Sequence, residues 1–131
     1  MESVIIELLK KDMLKEDDTA SKIIRMKMNQ YERLLSASEK QNPKQQYLNL
    51  YDGLFRLFEI SLAKLNIALT NVTPHKTFKL LYDFLYPGLD KDIRLHELVE
   101  LRHSIKKNGL IPSNEDIKKL EKCVKHARIS I

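Results

Sequence analysis

Between Lys44 and about Leu69 the chain places an apolar side chain on one side of a helix at every turn. Tyr47, Tyr51, Leu54, Phe58, Leu62, Leu65 and Leu69 follow one another at intervals of three and four. Leu50, Phe55 and Leu57 widen that stripe. The period is that of an α-helix, and a stripe this broad needs neighbours on more than one side. Such a helix is central, and the rest of the chain has to supply what surrounds it.

Shorter amphipathic segments do so. A first helix is expected over Glu2 to Leu14, with Val4, Ile5, Leu8 and Leu9 inward. Acids at Glu16, Asp17 and Asp18 break it and suit the start of a second, Thr19 to Glu39, striped by Ile24, Met28, Tyr31 and Leu35. Asn42-Pro43 opens the long third helix. Gly53 within it either admits a close neighbour or is simply tolerated, at about 1 kcal/mol against alanine. Thr73-Pro74 opens a fourth, which Pro87-Gly88 closes. A fifth is expected from Asp90 to Lys107, ended by Asn108-Gly109, residues suited to a left-handed cap. Ser113, with Asp116 three residues on, has the form of a capping box before a last helix to about Arg128. Only three glycines and four prolines interrupt these segments. The fold class that follows is all-α: a single-domain antiparallel bundle of five to six helices.

Composition narrows the function classes. No apolar run reaches the roughly 20 residues that span a bilayer. The segment MESVIIELLKKD lacks the features of an export signal. Cys123 is the sole cysteine, so neither an internal disulfide nor a cysteine-pair zinc site is expected, and a cytoplasmic location fits. The four histidines have no metal-ligand spacing, and glycines at 53, 88 and 109 cannot build a phosphate loop. No metal and no cofactor are expected. The formal net charge is +5. From Arg102 to Arg128 eight Lys and Arg stand against three Asp and Glu, so this quarter carries the whole excess. That balance suits RNA or an acidic protein partner; a merely solubilising surface is the alternative.

The candidate site lies in LHELVELRHSIKKNG, Leu95 to Gly109. Arg102 falls four residues after Leu98 and three before Ile105, on the apolar side of its helix. A guanidinium there needs a partner, because its charge is costly to desolvate. That partner is either a ligand or a carboxylate across a helix interface. His103 follows it and adds an imidazole with a useful pKa. His96 is a further candidate for the same groove, His75 has no evident partner, and His126 sits within a basic surface. Tyr31, Tyr47 and Tyr51 have helical spacing, so core or a subunit interface is the expectation over base stacking. The connection from Asn108 to Ser113 is long for a helix-turn-helix.

A long apolar helix, a helix ending in Arg102-His103-Ser104-Ile105-Lys106-Lys107-Asn108-Gly109, and a closing amphipathic helix together resemble the HEPN superfamily of small all-α proteins. Arg102 matches the family's motif arginine and His103 its polar follower. The motif histidine, due at 107 to 109, is replaced by Lys107, Asn108 and Gly109. The resemblance implies one HEPN-like domain over 1–131, a homodimer, and an RNA-associated function in a toxin–antitoxin or defence setting. A metal-independent endoribonuclease is the active form this implies, with Arg102 on the phosphate and His103 assisting. Lys106, Lys107, Asn108, Lys118, Lys119 and Lys122 would bind RNA. The alternative is a catalytically inactive module binding another protein, such as a nucleotidyltransferase.

Overall fold

The computed structural model describes residues 2–89 and 93–131, with Glu2 by its backbone alone. In chain order these form α1 (Glu2–Lys10), β1 (Leu14–Glu16), a 3-10 turn (Ala20–Ile23), α2 (Ile24–Ser38), α3 (Pro43–Ala63), β2 (Ile67–Leu69), α4 (Pro74–Leu85), α5 (Leu95–Asn108) and α6 (Asn114–Ile129). The class is all-α, as the periodicities require. Among the described residues no helix is long and apolar enough to cross a membrane.

Several helix ends are the ones their local chemistry specifies. Asn42 accepts a hydrogen bond from the Gln45 amide at 3.0 Å, with Pro43 in the first turn of α3. Ser113 and Asp116 cap α6 reciprocally, at 3.1 and 2.9 Å. Gly109 takes φ +68° and donates to the Ile105 carbonyl at 3.1 Å, closing α5. Each exchange satisfies amides or carbonyls that a helix end leaves without partners.

Two expected ends move. The first helix stops at Lys10 instead of Leu14, and α3 stops at Ala63 instead of Leu69. Asp12 and Asn66 both adopt φ +58°, a left-handed conformation that ends a helix and that Asp and Asn tolerate better than most residues. Beyond them the chain is extended, and β1 and β2 pair antiparallel with Leu14 opposite Leu69 and Glu16 opposite Ile67. Over three residues a strand delivers Leu14 and Ile67 to the core as well as a helix would. Leu65, expected in the stripe, is left exposed in the turn. The second helix begins later than Thr19 because Asp17 takes up the Thr19 amide and hydroxyl, at 3.0 and 2.7 Å, and a 3-10 turn follows. The fifth begins at Leu95; its expected start at Asp90 lies outside the described residues.

α3 is the centre of the core. Tyr47, Tyr51, Leu54, Leu57, Phe58 and Ile60 are wholly buried on it. α2 and α6 both pack along it. Gly53 is a contact point and not a tolerated accident: a Cβ there would lie 3.3 Å from Leu35 Cδ1 and 3.5 Å from Tyr31 Cδ1 of α2. An ion pair from Lys27 to Glu59, 3.0 Å, joins the same two helices.

Buried tyrosines pin the other helices to α3. The Tyr47 hydroxyl donates to the Leu98 carbonyl at 2.8 Å. The Tyr86 hydroxyl lies 3.1 Å from the Leu57 carbonyl and 2.6 Å from Ser61 Oγ. His126, expected within a basic surface, instead faces the end of α4. Its Nε2 lies 3.2 and 2.8 Å from the Tyr86 and Pro87 carbonyls, which requires a proton on that nitrogen.

Candidate functional site at Arg102

α3, the first turn of α4 and the middle of α5 meet at three side chains. Tyr47 and Tyr51 are one turn apart on α3; Leu98 and Arg102 are one turn apart on α5. Tyr47 holds Leu98, and one turn further on Arg102 lies over the ring of Tyr51, with Cζ 4.9 Å from the ring centroid. α3 and α5 therefore run in the same direction here, with α4 returning between them in the chain.

The guanidinium gains a cation–π contact from Tyr51 but, among the described residues, no hydrogen-bond acceptor. Its Nε is buried and makes no hydrogen bond, and among the described residues Arg102 forms no ion pair. An interhelical carboxylate bridge, one of the two readings of this arginine, is therefore absent from the described residues.

On the far edge of the same ring, the Tyr51 hydroxyl lies 3.0 Å from His75 Nδ1. The two rings are 5.8 Å apart, and Phe55 packs on the imidazole at 4.9 Å. Phe78 meets the Tyr51 ring edge-on at 6.0 Å. His75 is half-buried, and that burial lowers its pKa. The positive charges of Arg102 and Lys106 lower it further, against an opposing pull from Asp52. The imidazole is thus neutral at neutral pH. Burial raises the Tyr51 hydroxyl well above the usual tyrosine range, so it stays protonated.

Thr73, just before α4, holds φ +40° and ψ +60°, a left-handed conformation costly for a β-branched residue. It directs the chain into the turn that carries His75.

No family model matches this chain, nor does any curated protein or solved structure it was compared with.

The remaining candidates are distributed more loosely. Lys106, one turn beyond Arg102, is exposed and close enough for its charge to act on His75. His103, Lys107 and Asn108 are exposed on α5, and no hydrogen bond or ring contact joins His103 to Tyr51 or His75. Lys118 and Lys122 are exposed on α6 and Lys119 is half-buried. His96 lines a different depression, of about 570 Å3, with Lys79, Asp83 and Arg94. Among the described residues no three His, Cys, Asp or Glu side chains are grouped to hold a metal.

Sequence reasoning missed His75 and assigned Tyr51 to the core or a subunit interface. Tyr51 is core, with no exposed surface for stacking a base, yet it also carries both polar partners. No spacing rule links positions 51, 75 and 102. The available signal was His75 beside Pro74, a polar aromatic in a first helical turn with nothing nearby in sequence to satisfy it.

Proposed function

We propose that this chain is an HEPN-like RNA-associated protein that binds a phosphodiester group at Arg102. One observation carries the reading: a buried guanidinium nitrogen with no acceptor, on a side chain held in place by Tyr51. An unmet buried donor costs about 1–3 kcal/mol, more when charged. A phosphate oxygen would remove that cost through a charge-assisted bond for which guanidinium is well shaped. Lys106 adds positive charge, and the basic run to Arg128 supplies a field that draws a polyanion.

The test is fluorescence anisotropy with labelled single-stranded RNA over a range of salt concentrations. Affinity should fall steeply with salt. Arg102→Gln, which removes the guanidinium charge and keeps a shorter polar side chain, should weaken binding by about tenfold or more, the equivalent of one lost charged hydrogen bond. Unchanged affinity in a variant with a wild-type circular dichroism spectrum would refute the reading. The same samples, incubated without metal, report cleavage; product that disappears in Arg102→Gln would make the protein an endoribonuclease.

A second reading, a module that docks on a protein, draws support from Leu110 and Ile111. They follow α5 directly and are 43% and 68% exposed. A second copy of this chain or a nucleotidyltransferase is the partner in question. Sedimentation of wild type and Ile111→Asp measures the first case directly: a dimer in the former and a monomer in the latter.

A further inference from the structure

We propose that Tyr51 locks His75 in the neutral tautomer protonated on Nε2, so that His75 serves the Arg102 site as a fixed hydrogen-bond donor to phosphate and not as a proton acceptor. This rests on the phosphate-binding reading above and assigns to that site a residue outside the Arg102–Asn108 segment.

The argument begins with the Tyr51 hydroxyl. Tyr51 is wholly buried, and a buried hydroxyl has to donate its hydrogen to something. Among the described residues its one hydrogen-bond partner is His75 Nδ1, at 3.0 Å. Of the two ways to place a proton between these atoms, phenol to imidazole is the better. A phenol is a strong donor and a weak acceptor, an unprotonated imidazole nitrogen is a strong acceptor, and the reverse arrangement would leave the phenolic hydrogen buried without a partner. Nδ1 therefore carries no hydrogen. A neutral imidazole has one, and it must be on Nε2.

The surroundings keep the ring neutral and in place. Arg102 and Lys106 are the cations acting on it, and Asp52 is the acid opposing them. Phe55 packs on the ring, and the left-handed Thr73 sets the turn on which it stands. Beside the Asp52 carboxylate, the site offers three kinds of donor: guanidinium N–H groups, Nε2–H and the Lys106 ammonium. A phosphodiester at neutral pH presents acceptors only. The match is one for retention. Nε2 already carries a proton, so it is not placed to take one from a ribose hydroxyl.

Two-bond proton–nitrogen correlation spectra of the free, isotopically labelled protein report the tautomer directly. Wild type should show His75 protonated on Nε2 with a hydrogen-bonded Nδ1. Tyr51→Phe retains the ring beneath Arg102 and removes the donor; the Nδ1-protonated form should appear, and RNA affinity should fall about three- to tenfold. His75→Ala should show a similar loss, and His75→Gln, which retains a side-chain N–H, should restore most of it, so the proposal is tested even if Tyr51→Phe folds poorly. An Nδ1-protonated wild type overturns the inference, as does equal affinity in His75→Ala, and either leaves RNA binding intact. A wild-type protein that shows the Nε2 tautomer yet binds no RNA overturns the phosphate-binding reading and the role of His75 with it.

Discussion

Tyr47 donates its phenolic hydrogen to the carbonyl of Leu98, 2.8 Å away, between two wholly or nearly buried residues that lie 51 positions apart. That bond sets the register of α5 against α3, and it acts one helical turn before the point where Arg102 meets Tyr51. Tyr47→Phe removes the hydroxyl and leaves the packing. Stability should fall by about 1 kcal/mol in urea denaturation. RNA affinity should fall with it, although residue 47 makes no hydrogen bond or ring contact with Arg102 or His75, because α5 loses the bond that sets its register.

Acid should weaken the fold through His75. Its folded-state pKa is lowered by burial and by Arg102, so the unfolded chain takes up a proton first as pH falls. The stability it contributes is whole above the unfolded value of about 6.5 and declines as pH drops through that value toward the folded one. Urea midpoints between neutral pH and about pH 5 should fall in wild type and fall less in His75→Gln.

Base should weaken it through the tyrosines. Burial raises Tyr47, Tyr51 and Tyr82 well above the usual tyrosine range and pushes Tyr86 up to about 12. Their contribution is whole below the unfolded value of about 10 and is lost as pH rises above it. Tyrosinate absorbance should therefore rise together with the loss of helical circular dichroism, in one step. Gradual ionisation of a still-folded protein near pH 10 would contradict this.

Gly53 should tolerate no branched side chain. A Cβ alone would lie 3.3 Å from Leu35, and Val adds two methyl groups to it. Gly53→Val should destabilise the α2–α3 contact by about 2–3 kcal/mol in spite of the helix propensity it gains. Calorimetry on the two proteins measures the difference.

Thr73 should be improvable. It makes no side-chain capping bond and sits at φ +40°. Asn accommodates the left-handed region better and caps helices at least as well, so Thr73→Asn should raise stability by about 1 kcal/mol. A decrease in the urea midpoint would show that the hydroxyl or methyl of Thr73 is needed.

The all-α class, the central position of the third helix and most helix ends were written in local sequence. Asn42-Pro43, Ser113 with Asp116, and Asn108-Gly109 each act within a few residues, through hydrogen bonds a short segment makes to itself. The helical period of Tyr47, Tyr51, Leu54 and Phe58 likewise needs no knowledge of what lies opposite. The left-handed Asp12 and Asn66, and the strand pairing beyond them, were not legible, because Leu14 pairs with Leu69 only once the chain has closed on itself. Arg102 could be picked out as a polar group on an apolar stripe. What it faces could not. Tyr51, His75 and Arg102 come from three helices, and only tertiary packing decides that the arginine meets an aromatic face instead of a carboxylate, or that a histidine with no neighbour in sequence receives the tyrosine's proton. Periodicity says which side of a helix is turned inward; it carries no information about which residue of another helix will be there.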